Sequence, residues 1–242
     1  WEQILKLVYV DEQHDPVETW HQNRVRKGEL QQKLTDLHLD RLHISSSNGT
    51  DIEIGLHEDC SFGHRYEKPE GRPDNVCNIP TEEICTTPDK WRTNGKVVSA
   101  RPLLIGGKII DHFEVTFKDG RVIDCKAEIG EDLLKATIET DEGAHYLGEV
   151  AFVPYHSPIS LSGYVYYNTL IDENASCHLA LGRGFPHAVG ADAVNKKSWE
   201  EKHVNDSVIH IDFMIGTADT KITGYTKDGK EIAIFVDGDF AL

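Results

Sequence analysis

The sequence contains no apolar run approaching the roughly 20 residues that a membrane-spanning helix needs, and no signal-peptide pattern opens it. Neither a membrane helix nor a membrane partner is expected. There is no C-x-x-C pair, and the five cysteines are an odd number without the spacing of a structural zinc site. Free thiols in a reducing compartment, and so a cytoplasmic location, are the expectation. Positive charge is scarce: 25 Lys and Arg stand against 41 Asp and Glu, for a formal net charge of −16. That balance argues against a nucleic-acid partner, which needs a basic surface. Internal repeats and low-complexity tracts are also missing. The chain opens on Trp1 instead of Met, which suggests a processed or truncated piece of a longer protein.

What remains is ordinary for a globular chain: 39% apolar and 27% charged residues over 242 positions, enough for one large domain or two small ones. The first forty residues read as helical, with Asp15-Pro16 as an acid cap followed by proline at the first helical position. LDRLHISSS and GTDIEIGL read as short strands, and residues 57–78, rich in Gly, Pro and charge, as a surface loop. From Lys96 to about Glu128 the pattern is β. Phe113, Val115 and Phe117 alternate with polar residues there, and Asp119-Gly120 signals a hairpin. A helix is expected at 130–142, then a strand (LGEVAFVP), more β (GYVYY), a helix over NTLIDENASCHLALG and a polar irregular connection over 183–206. SVIHIDFMIG reads as a strand, and a hairpin turning at Asp228-Gly229 closes the chain. The expected fold class is α+β: a mixed, largely antiparallel β domain with flanking helices.

Four places set an acid or an imidazole inside an apolar pattern. His210 and Asp212, two apart on a strand, point to one face; a satisfied core histidine beside a turn-anchoring aspartate is the bland alternative. Glu149, in LGEVAFVP, is either an interior acid or an outward-facing group on an edge strand. His178, on the expected helix with Asn174 one turn earlier, is either functional or a core histidine. Glu82-Glu83, after Thr81, are either functional acids or the capping residues of a first helical turn. Two glutamates, two histidines and an aspartate form the donor set favoured by catalytic zinc, manganese or cobalt. Five side chains make six contacts if one carboxylate bridges, enough for two metals with three protein ligands each. Cys177 adjoins His178, but neighbours on a helix point about 100° apart, so Cys177, like Cys85, reads as a small buried hydrophobe.

Four segments (NIPTEEICTTPD, LGEVAFVPYHSPIS, YYNTLIDENASCHLALG and NDSVIHIDFMIG) resemble, in order and spacing, the metal-binding segments of the thermophilic-type metallo-aminopeptidases, the aminopeptidase T and aminopeptidase S family. The likeness extends to DPVETW, NGTDIEIGL and DEGAHYLGE, and so over nearly the whole chain. It implies a dinuclear exopeptidase, supported by zinc or cobalt, that removes N-terminal residues from peptides. Glu83, Glu149, His178, His210 and Asp212 fall on the family's metal-ligand positions, and the register favours Glu83 over Glu82 as the first ligand. Glu82 is then the expected general base, with a second-layer acid or a cap as its alternative. The resemblance further implies a homodimer, and that residues 1–242 are the C-terminal metal-binding catalytic domain without the family's N-terminal α/β domain. One departure stands out: where the family carries a tyrosine seven residues after its first ligand histidine, this chain has Phe185. Two other functions stay open: a dinuclear hydrolase of other amides or esters, and a metal-binding, non-catalytic oligomerisation domain.

Overall fold

The computed structural model describes residues 1–63 and 80–242. Most of the loop expected at 57–78, with Cys77, lies outside the described residues. Helix α1 (Glu2–Leu7) and the longer α2 (Pro16–Asp36) open the chain. Asp15 caps α2 as its sequence suggests, its carboxylate accepting from Val17 N and Glu18 N. Strands β1 (Leu39–Ser45), β2 (Asp51–Leu56), β3 (Ile84–Thr86), β4 (Pro88–Val98), β5 (Leu103–Ile105), β6 (Lys108–Lys118) and β7 (Arg121–Ile129) follow. Then come α3 (Glu131–Ile138), β8 (Leu147–Phe152), α4 (Pro158–Leu161), α5 (Thr169–Asp172) and β9 (His178–Gly182). The last elements are α6 (Lys196–Glu201), β10 (His210–Met214), β11 (Lys221–Thr226), β12 (Glu231–Val236) and β13 (Asp239–Phe240).

The strands form two sheets with antiparallel pairings. A nine-stranded sheet runs β13-β12-β11-β1-β2-β4-β6-β5, with β7 also paired to β6, and a four-stranded sheet runs β10-β9-β8-β3. The fold is α+β and largely antiparallel, as the alternating patterns predict. Both sheets feed one apolar core. Aromatic pairs join them, with Phe113 of β6 at 5.7 Å from Phe213 of β10 and Phe152 of β8 at 5.8 Å from Phe235 of β12, centroid to centroid. Such pairs contribute about 0.5–1.5 kcal/mol each beyond the area they bury.

Three expectations are corrected. The helix over 168–182 is only the single turn α5 and a 3₁₀ turn at Glu173–Ala175; from His178 the chain is strand β9. The run His178–Gly182 is buried at every position, and a short all-buried run cannot be told from a helix by periodicity. GYVYY forms no strand: residues 164–167 are irregular, with Tyr166 N and Asn168 N both donating to the Asp172 carboxylate. The connection at 183–206 is only partly irregular, since it holds a 3₁₀ turn at Pro186–Val189 and helix α6.

Candidate metal centre

In the four-stranded sheet the cross-strand register decides which side chains share a face. Asp212 lies opposite Ala180, and Ala180 opposite Glu149. One row along, Met214 faces His178, His178 faces Ala151, and Ala151 faces Cys85. His210 faces Gly182. One surface of the sheet therefore carries His210, Asp212, Glu149 and His178, floored by the small residues Ala180, Ala151 and Gly182. The opposite surface carries Ile84, Val150, Phe152, Leu179, Leu181 and Phe213, all in the core. Glu83 precedes β3 by one residue and lies two before Cys85, on the same parity.

A bulge in β8 sets Leu147 and Glu149 on opposite faces. Leu147 pairs with Leu181 but Glu149 pairs with Ala180, so Gly148 is an extra residue in β8. In unbroken alternation Leu147 and Glu149, two apart, would share a face; the bulge lets Leu147 enter the core while Glu149 turns to the site. A Cβ on Gly148 would sit 2.3 Å from Arg183 O and 2.4 Å from Gly182 O, so no larger residue fits there without moving backbone.

The site residues meet in two overlapping groups: Glu83, Glu149 and His178, and Glu149, His210 and Asp212. Within each, the potential ligand atoms lie within 4.8 Å of one another. Glu149 belongs to both. His210 Nε2 is 3.0 Å from Glu149 Oε2 and 3.2 Å from Asp212 Oδ1, and His178 Nε2 is 3.8 Å from Glu83 Oε2. Each imidazole turns its other nitrogen to a backbone carbonyl: His210 Nδ1 to Arg183 O at 2.7 Å and His178 Nδ1 to Ser176 O at 3.3 Å. A donated Nδ1–H fixes the tautomer and leaves Nε2 as a lone pair facing carboxylates, the arrangement found in histidines that bind metals. Something positive, a proton or a metal ion, must stand between them.

The electrostatics make the same point. Burial raises Glu149 to about 7, with the hydrogen bond to His210 opposing. Burial pulls His210 down, but Asp212 and Glu149 outweigh it and push the imidazole up to about 11. Burial likewise opposes the charge on His178, and the surrounding acids, Glu83 first, raise it on balance. Asp212 Oδ1 is buried without a hydrogen bond of acceptable geometry. A buried carboxylate oxygen left in this state costs stability unless it is bound to something. An orphaned oxygen, two imidazoles aimed at acids and an all-O/N donor set fit the binding of a divalent metal.

Glu82 stands outside both groups. Its carboxylate is 4.0 Å from the Arg26 guanidinium, and burial raises its pKa. No helical turn starts at Thr81, so the capping alternative does not apply. Asn174, expected to reach His178, instead accepts the Glu82 backbone N–H at 2.9 Å, while Ser157 Oγ donates to Asn174 O. The fully buried Asn174 thus holds the backbone that presents the two glutamates. Cys177 lies just ahead of β9 and His178 opens it, and the two side chains go separate ways, the thiol to Val153 O and the imidazole toward Glu83. The Cys177 thiol is pushed up to about 12 by burial and donates to Val153 O.

Glu173 escapes the sequence reading. It is buried in the 3₁₀ turn ahead of β9, burial raises it to about 8, and its field falls on His178, Asp212, Glu83 and Glu149. The signal was present as an acid in a segment with a buried future, DENASC, but the helix expected there hid it. Lys27 of α2, whose Nζ is 3.3 Å from Thr81 Oγ1 beside the two glutamates, escapes it for a different reason: a lysine on a polar helix carries no pattern at all.

Residues 1–240 match the family described as Thermophilic metalloprotease (M29). Aminopeptidase AmpS of Bacillus subtilis (strain 168) is 43% identical over 242 residues, which is all of this chain and 58% of that protein. Aminopeptidase 2 of Geobacillus stearothermophilus is 41% identical over 246 residues, again with 100% and 58% covered. The solved structure of wild-type AmpT from Thermus thermophilus superposes with a TM-score of 0.90 at 31% identity, covering 100% of this chain and 58% of that one. The chain thus spans less than two thirds of the length of these relatives.

Proposed function

Starting from the fact that the chain belongs to the thermophilic metalloprotease (M29) family, we propose that it is a dinuclear metal-dependent aminopeptidase unit that hydrolyses N-terminal residues from peptides. The observation that carries this reading is the convergence of Glu83, Glu149, His178, His210 and Asp212 into two three-donor groups hinged on Glu149. Glu83, Glu149 and His178 would hold one ion, and Glu149, His210 and Asp212 the other. Two zinc, cobalt or manganese ions bound there would supply Lewis acidity toward a peptide carbonyl and lower the pKa of water.

The protein's own groups would do the rest. The Arg183 and Ser176 carbonyls keep both imidazoles turned to the centre, and Asn174 fixes the Glu82–Glu83 backbone. Glu82 and Glu173 are acids beside the centre that belong to neither group. We assign Glu82 as the general base; Glu82→Gln with metal content intact and an unchanged rate would reject that role and pass it to Glu173. A cytoplasmic location is part of the proposal, supported by the free thiols of Cys60, Cys125 and Cys177. A homodimer is proposed from the family resemblance.

The test compares amino-acid anilides with the same anilides blocked at the amine, in protein loaded with zinc, cobalt or manganese. Hydrolysis confined to the free-amine substrates supports the aminopeptidase; equal cleavage of blocked substrates favours a general amide hydrolase. The second reading, a metal-binding but non-catalytic unit, draws on Phe185. Its ring, 5.1 Å from the His210 ring, offers no hydroxyl where the family resemblance implies a phenol. Uptake of two ions with no cleavage of either substrate would favour it.

A further inference from the structure

The two candidate ion positions are chemically matched. Each is framed by two carboxylates and one imidazole, and they share Glu149. Any inequality between them must come from the groups around them, and those differ. On the Glu83 side, α2 lays Lys27 against the segment leading into β3. Its Nζ is 3.3 Å from Thr81 Oγ1 and 3.5 Å from Thr81 O, contacts that fix where the ammonium sits. Arg26, next in the chain, is 4.0 Å from the Glu82 carboxylate. Burial works against the charge on Lys27, and Glu83, followed by Glu82, works for it. On the other side, the charges acting most on Asp212 are those of His178 and His210, and on His210 those of Asp212 and Glu149. Those are members of the centre itself, and the outlying Glu173 acts on residues of both positions, on His178 and Glu83 as well as on Asp212. His210 is also the more firmly oriented imidazole, with its carbonyl anchor at 2.7 Å against 3.3 Å for His178.

We propose that Lys27 is a positioning residue that makes the two metal positions unequal: an ammonium held at Thr81, two residues before Glu83, weakens the hold of Glu83, Glu149 and His178 on their ion, so the position of Glu149, His210 and Asp212 fills first. The inference rests on the dinuclear reading above and deepens it. The physics is Coulombic. A unit positive charge held in partly desolvated surroundings repels a divalent ion, and it takes up part of the field of the carboxylate they share. Solvent screening at the half-buried Lys27 reduces the effect without cancelling it. A dipositive ion at the far position lies further from the ammonium and feels it less.

The experiment titrates chelator-stripped protein with cobalt(II), following binding by calorimetry and visible absorption, with thermal melts to confirm folding of each variant. The wild-type protein is expected to take two ions in resolved steps. Asp212→Asn should abolish the tighter step and Glu83→Gln the weaker one. Lys27→Met, which keeps the aliphatic stem but removes the charge, should tighten the weaker step roughly three- to tenfold and leave the tighter one within about twofold. Lys27→Arg should behave as wild type. If Lys27→Met does not fold, Lys27→Gln provides the same readout. A gap between the steps that survives loss of the Lys27 charge overturns the proposal, as does loss of the tighter step in Glu83→Gln. Fewer than two ions on the wild-type protein would instead overturn the dinuclear reading, an outcome distinct from either.

Discussion

On one face of β8, β9 and β10 lie Val150, Phe152, Leu179, Leu181 and Phe213; on the other lie Glu149, His178, His210 and Asp212. The same strands build both faces, and Glu149 and His178 are about as shielded from water as the apolar residues behind them. The difference is in what burial does. Removing the apolar face from water contributes about 1.5–3 kcal/mol per large side chain. Removing ionisable groups costs stability, offset here in part by their mutual pairing and fully only when something positive sits among them. One face secures the fold, and the other is held in place by it. The comparison also separates the consequences of substitution, because damage to each face should read out differently.

The largest expected effect is on the acid face. Glu149→Ala removes the carboxylate common to both groups, so bound metal by elemental analysis should fall to near zero. Anilide hydrolysis should drop by at least about a hundredfold, with the fold retained. Retention of two ions would break the comparison at its centre. Next is Phe213→Ala on the apolar face, which opens a cavity beside Phe113 and should lower unfolding stability by about 3–5 kcal/mol in denaturant titration. Metal stoichiometry per folded molecule should stay at the wild-type value; a parallel loss of metal would mean the faces are not separable.

The third effect is the pH dependence of the metal-free protein. Glu149 binds its proton more tightly folded than unfolded, so its burial becomes more costly as pH rises from its ordinary 4.5 through about 7. His210 is raised in the folded state, so the stability it contributes is complete below its ordinary 6.5 and is lost as pH rises toward about 11. Both signs agree, and the two groups titrate as a hydrogen-bonded pair. Thermal melts of stripped protein should therefore show stability falling from about pH 5 upward, and added cobalt should flatten the curve. A stripped protein most stable at high pH would contradict the charge assignments. The smallest effect is at the rim: Phe185→Tyr should leave metal content unchanged and raise anilide hydrolysis by roughly severalfold if a phenol there assists the carbonyl. No gain in rate would mean that position is not limiting.

The fold was legible wherever a local rule acts alone. Asp15-Pro16 started a helix, Asp119-Gly120 and Asp228-Gly229 turned hairpins, and Phe113, Val115 and Phe117 alternated as an amphipathic strand does. Legibility failed at His178–Gly182, because a run buried on both faces has no period to read. It failed again at GYVYY, where aromatic β-propensity yielded to the Asp172 carboxylate gathering backbone N–H groups from the turn. For the candidate centre, the five residues singled out do meet in space, since acids and imidazoles inside apolar segments stand out against their neighbours. What stayed hidden acts across the fold: Glu173 behind an expected helix, Asn174 holding Glu82 from 92 positions away, and Lys27 reaching Thr81 from 54 positions before it.

The extra glycine in β8 carries a consequence of its own. A strand that alternates strictly must give its odd positions to one neighbour and its even positions to the other for its whole length, and LGEVAF escapes that rule by slipping a single step. Straightening the strand with every residue kept would put Leu147 and Glu149 on one side, so that either an aliphatic side chain would stand among the acids or the glutamate would be driven into the core, although composition would not change. Efforts to retune which ion this scaffold prefers can therefore vary the small site-facing residues Ala151 and Ala180, provided the slip itself is left alone.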